Sequence, residues 1–176
     1  MDRLPEPLTT FRQIIEADLR TAARKIIRHQ CELDPHWRFA SPDGDYHLVT
    51  TLPADTRERQ LMLRRVATLM AWKQVVGFTL ASELIEPDSL YCLGVNHKEV
   101  HACASIIRRK PKPWTAENFG VVEWLPRTAI GQELIDLLPK GSRTITRDEL
   151  VMLEKWFGAA GTFPLVHVAS REVRGV

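Results

Sequence analysis

The sequence predicts an α+β domain: a central antiparallel sheet of about five strands, helices packed mainly on one face, and a C-terminal helical extension. Three observations point there. From Val75 to Arg109 residues alternate in character between hairpin signals, the pattern of adjacent antiparallel strands. Ser41-Pro42-Asp43-Gly44-Asp45 separates two more β-type runs with a turn signal of the Asp-Gly kind. Two long segments, 8–30 and 55–73, space apolar residues by three and four, the period of a helix that buries one face.

Leu8 to about Gln30 is expected to be the first helix, with Leu8, Phe11, Ile15, Leu19, Ala22 and Ile26 on one stripe and Thr9 or Thr10 as the cap. Trp37–Ala40 and Tyr46–Leu52 form a hairpin around the Asp-Gly turn. Asp55-Thr56-Arg57-Glu58 reads as a capping box opening the second helix, whose stripe is Leu61, Met62, Val66, Leu69 and Met70. Val75–Ile85 is the next strand, with Phe78 and Leu80 on one face and Thr79 and Ala81 on the other. Leu90–Val95 and Glu99–Ile107 make a second hairpin. Arg108–Trp114 is a loop forced open by Pro111 and Pro113, and Phe119–Leu125 is the last clear strand. A short helix spans Ala129–Leu138. A second capping box, Thr146-Arg147-Asp148-Glu149, starts a helix lined by Leu150, Leu153 and Phe157. Phe163–Val168 is an edge strand or tail. Trp72 and Trp156 fall at stripe-compatible positions and are expected in the core.

The chain has 176 residues, enough for one domain with a full core, divided into a main body, 1–138, and a C-terminal helix and tail, 139–176. Its 24 basic and 22 acidic residues give a net charge of +2, spread along the chain, which points neither to nor away from nucleic acid. Three cysteines, Cys31, Cys92 and Cys103, do not make a secreted disulfide framework. No signal-peptide pattern opens the sequence and no apolar run reaches the length of a membrane span. The expected setting is a bacterial cytoplasm with reduced thiols, away from membranes.

Four groups of residues carry candidate chemistry. Cys92, His97, His101 and Cys103 are zinc-ligand types around one hairpin. If Val95 pairs with Glu99, Cys92 faces away from the others. If Val95 pairs with Val100, Cys92 lies opposite Cys103 and a cluster can form. The plainer reading makes both cysteines small core hydrophobes and His101 a half-exposed strand residue. Arg108, Arg109, Lys110 and Lys112, followed by Trp114, form a basic segment able to track a phosphate backbone while the indole stacks on a base, or else a solvated loop. Glu83, Glu86 and Asp88 bring carboxylates to one strand end, without a third ligand element. Ser82, Ser105 and the cysteines lack a nucleophile elbow, and no phosphate-binding glycine motif is present. His36, His47 and His167 are scattered along the chain.

The order helix, two strands, helix, meander, helices resembles profilin-like and roadblock-like architecture over roughly 8–138, which implies a binding or dimerisation platform. Gly77-Phe78-Thr79-Leu80-Ala81-Ser82-Glu83, then Glu99-Val100-His101 and Ile107-Arg108-Arg109, resembles a pattern in small uncharacterised bacterial proteins of phages and plasmids. That resemblance implies no activity. The leading expectation is a non-enzymatic protein-interaction module, a homodimer, with no cofactor. The alternatives are a nucleic-acid-binding accessory protein using the basic segment, and a zinc-binding protein or metal-dependent enzyme using the Cys/His hairpin.

Overall fold

The computed structural model describes residues 10–111, 114–158 and 166–168. Helix α1, Phe11–His29, opens on a reciprocal cap. The Gln13 N–H donates to Thr10 Oγ1 at 3.2 Å and the Thr10 N–H donates to Gln13 Oε1 at 2.9 Å. The helix ends at Gln30, which is left-handed at φ 51°. The Gln30 carboxamide donates to the carbonyls of Ile27 (2.7 Å) and Ala116 (2.9 Å) and accepts from the Ala116 N–H (2.8 Å).

Strands β1, His36–Ser41, and β2, Gly44–Val49, form the expected hairpin. Ser41 pairs with Gly44, whose φ of 139° a side chain rarely tolerates. Helix α2, Thr56–Trp72, begins as Asp55 Oδ1 accepts from the Glu58 N–H at 2.7 Å. Glu58 reaches back one residue further than expected, accepting from the Ala54 N–H. Strands β3, Gly77–Leu84, β4, Ser89–Asn96, and β5, Val100–Pro111, follow as a meander. Then come β6, Trp114–Phe119, β7, Glu123–Leu125, a 3₁₀ turn at Arg127–Ala129, the single-turn α3, Gln132–Ile135, α4, Arg147–Gly158, and β8, Val166–Val168.

The sheet is open and antiparallel, ordered β6-β5-β4-β3-β1-β2-β8, with β7 also pairing β5. It therefore has more strands than the expected five. Two corrections explain the excess. The segment from Arg108 is no open loop: β5 continues to Pro111, which pairs with Trp114, so β5 and β6 form a hairpin arm. Proline is tolerated there because it ends a strand, where its missing N–H costs little. The expected Phe119–Leu125 strand is divided, because β6 ends at Phe119 and the Gly120 N–H bonds the Ile106 carbonyl before β7 begins. The helix expected at Ala129–Leu138 is likewise reduced to the 3₁₀ turn and α3.

Alternation sorts the sheet into two cores. On one face Trp37, Phe39, Tyr46, Leu48, Phe78, Leu80, Leu93 and Val95 meet Leu63, Val66, Leu69 and Met70 of α2. Ile130, Leu137, Leu138 and Leu153 of α4 join the same cluster. Trp37, Phe39 and Phe78 are essentially sealed there, and each contributes about 1.5–3 kcal/mol by leaving water. On the other face α1 alone covers Ala81, Leu90, Cys92, Cys103, Ile107 and Ala116. Three helices thus share one face and α1 takes the opposite one. It sits close because β4 presents Gly94 beneath it: a Cβ there would lie 2.4 Å from Ile15 Cδ1 and 2.8 Å from Phe11 Cζ.

Trp72 departs from the core expectation, being 42% exposed with the Lys73 ammonium 4.5 Å from its ring. Trp156 is half-buried under the Arg65 guanidinium. Among the described residues, no helix is long and apolar enough to cross a membrane.

Candidate functional site

The basic segment and the acidic cluster, separate in the sequence, meet in space. Arg109 Nε donates to Asp88 Oδ2 at 2.7 Å, and its Nη2 donates to Glu83 Oε1 at 2.8 Å and Asp88 Oδ1 at 3.2 Å. Glu83 also accepts from the Leu33 N–H through its other oxygen, which ties the segment after α1 to the arm. Glu83 and Arg109 are both largely buried, so this is a structural clamp rather than a free pair of carboxylates or a free cation. These carboxylates also raise the Arg109 pKa, its hydrogen bond to Asp88 most of all. Lys110 lies 3.8 Å from Glu117 in a loose exposed pair. Arg108 is exposed, Trp114 is 69% exposed, and Lys112 lies outside the described residues. The arginines of α1 and those of α2 do not join in one patch. The two helices lie on opposite faces, with Arg12 stacked on Trp124 and Arg65 on Trp156.

Around this clamp lies a groove of about 510 Å³ whose walls include Leu52, Leu84, Ile85 and Trp114. Ile85 is 86% exposed at the rim. Glu32, Glu83 and Asp88 outnumber Arg109 in the lining, so the groove is acidic between apolar walls.

The second hairpin adopts the register that puts Val95 opposite Val100 and Cys92 opposite Cys103. Asn96 selects it. Its Oδ1 accepts from the N–H groups of Lys98 and Glu99, both at 2.8 Å, which closes the turn. The register is necessary for a metal cluster but not sufficient. Both thiols are fully buried beneath α1, where burial pushes the Cys92 thiol well up and the Cys103 thiol up to about 12. His97 is exposed in the turn. His101 bonds Glu99 at 2.6 Å and sits between the rings of Phe11 and Trp124. Among the described residues, no three His, Cys, Asp or Glu side chains are grouped to hold a metal. Ser105 Oγ donates to the Gly120 carbonyl at 2.8 Å, a structural bond.

No family model, curated protein or solved structure matches this chain.

A second concavity lies along the seam between α1 and strands β1–β3. Asp18 of α1 anchors it. Arg38 Nη1 lies 3.2 Å from Asp18 Oδ1, and Thr79 Oγ1 donates to Asp18 Oδ2 at 2.6 Å. On one side of this bridge a cavity of about 150 Å³ has a mainly apolar surface, from Phe11, Ile14, Ala40 and Val76 among others, with Asn96, His97 and Lys98 also in its lining. On the other a smaller cavity of about 70 Å³ is lined by Lys25, His36, His47 and Thr21. Arg38 and Thr79 line both. Burial lowers the pKa of His36 and of His47. The Lys25 charge adds to it at His36, and the Arg38 and Lys25 charges add to it at His47. His36 Nδ1 donates to the Asp34 carbonyl, so Nε2 is the nitrogen left to gain a proton.

In the sequence His36 and His47 stand apart. The signal for them was present but weak. Polar His36 and Arg38 alternate with apolar Trp37 and Phe39, so they share the opposite face, and hairpin pairing sets His47 across from Arg38.

Proposed function

We propose that this chain is a non-enzymatic protein-interaction module that pairs with a second copy of itself through the groove beside the β5–β6 arm. One observation carries the reading: Leu52, Leu84, Ile85 and Trp114 line an acidic groove in largely exposed positions, next to an arm bearing Arg108 and Lys110. Contiguous exposed apolar surface of this kind marks association sites. A two-fold contact requires one patch to complement itself, and this patch holds apolar side chains and both signs of charge. In such a pair the cationic arm of one copy faces the acidic groove of the other.

Sedimentation equilibrium tests the reading. The native chain is expected to dimerise, and Trp114→Ala or Ile85→Ser is expected to raise the dissociation constant roughly tenfold or more. Both side chains are exposed, so circular dichroism of the variants is expected to match the native chain. A monomer at every accessible concentration would sink the proposal.

The exposure of Trp114 favours a second reading, single-stranded nucleic acid held on the arm. It is the weaker one because Arg109 is committed to Glu83 and Asp88. Adding a labelled oligonucleotide at low salt to the same sedimentation experiment distinguishes the two.

A further inference from the structure

We propose that the seam between α1 and β1–β3 binds a small amphiphilic carboxylate, its carboxylate against Arg38 among Lys25, His36 and His47, and its apolar group in the adjoining cavity. Arg38 and Thr79 line both cavities, so a ligand held at Arg38 has the cationic cavity on one side and the apolar one on the other. Their sizes suit a small molecule. The apolar cavity equals the liquid share of about five waters and the polar one about two. Arg38 uses Nη1 on Asp18, while its Nε is buried without an acceptor among the described residues. A buried donor left unsatisfied is costly, and a ligand oxygen relieves that cost. A planar guanidinium fork favours a carboxylate in particular.

The charges around the site decide its pH dependence. Helix α1 contributes Asp18 and Lys25, β1 His36 and Arg38, β2 Asp45 and His47, and the segment before β1 Asp34. With both imidazoles neutral, the two cations face three carboxylates, Asp18, Asp34 and Asp45. Protonation of His36 and His47 tips the site positive. Carboxylate binding and imidazole protonation are therefore coupled: the ligand raises both imidazole pKa values, and affinity rises as pH falls through them.

Hexanoate and acetate are the probes, since both stay ionised across the imidazole range. The full chain is titrated with each while the His36 and His47 ring signals are followed by NMR over pH. Hexanoate is expected to bind saturably, raise both imidazole pKa values, and bind at least about threefold more weakly to the exposed-site variant Lys25→Met. Acetate is expected to bind more weakly than hexanoate. Equal affinity for the two would overturn the apolar half of the proposal. An absent or non-saturating response to hexanoate, or the same response in Lys25→Met, would overturn it entirely. The site shares no lining residue with the groove beside the β5–β6 arm, so its failure leaves the dimer reading intact.

Discussion

Gly94→Ala is expected to destabilise the protein by forcing α1 away from the sheet. The added methyl would sit 2.4 Å from Ile15 Cδ1, 2.5 Å from Ile15 Cγ1 and 2.8 Å from Phe11 Cζ, distances real Cβ atoms do not adopt. Neither neighbour yields easily, since Ile15 is fully buried and Phe11 nearly so, and both lie on the face by which α1 docks. Overpacking of this kind costs about 1–3 kcal/mol. The less flexible unfolded chain returns about 0.4–1 kcal/mol. The net loss is about 1–2 kcal/mol, which for a domain of this size lowers Tm by about 2–8 °C. Urea unfolding reads it as a lower midpoint at unchanged slope. Ile15→Val in the same chain removes one of the clashing carbons, so the double variant is expected to lose less than the two single losses added together. Gly141→Ala is the control, since nothing lies within 4 Å of its Cβ position. A Gly94→Ala protein as stable as native, or strict additivity with Ile15→Val, would refute the close-packing argument.

Two further outcomes follow from the site chemistry. Because the folded pKa values of His36 and His47 lie below their ordinary value of 6.5, folding favours the neutral rings. The stability they contribute is complete above that value and is lost as pH falls through the folded pKa values. The urea midpoint is thus expected to drop on acidification below about pH 6.5, and less steeply in a His36→Gln, His47→Gln double variant. An unchanged slope in that variant would show that other groups carry the acid response. Among the thiols, exposed Cys31 is expected to react with a disulfide reagent at once, whereas Cys92 and Cys103 react only on unfolding. Three fast thiols in the native protein would contradict the seal that α1 forms over the sheet.

Local signals carried much of the fold. Thr10, Asp55 and Thr146 each cap a helix because capping needs only a few adjacent residues, and the Asp-Gly hairpin formed for the same reason. What depended on distant partners was harder to read. The α1 stripe announced a buried face but not which side of the sheet it would meet. A clue lay in β3, where Gly77-Phe78-Thr79-Leu80-Ala81 runs without a charged residue, and in the structure every one of these positions is buried, the mark of a strand covered on both faces. The register of the second hairpin rested on one side chain, Asn96, and a slip of one residue would have turned Cys92 to the other face. The candidate sites suffered most. In the sequence Arg109 belongs to a cationic run, whereas in the structure Glu83 and Asp88, more than twenty residues away, hold it. The Lys25, His36, Arg38 and His47 cluster needs α1 laid against β1 and β2, a juxtaposition no local spacing encodes.

The Gln30 carboxamide has a meaning beyond fastening a helix end. Strand β6 is the outermost strand on its side, and such strands invite the backbone of another molecule to add on. At Ala116 that invitation is withdrawn, because Gln30 both accepts from its N–H and donates to its carbonyl, as a neighbouring strand would. One side chain stands in for a missing strand. Another molecule's backbone would have to displace the carboxamide before it could add to the sheet at this residue. Glycine at position 30 would ease the left-handed backbone yet uncover the strand, so gained helix-end stability would come with a greater tendency to form fibrous aggregates.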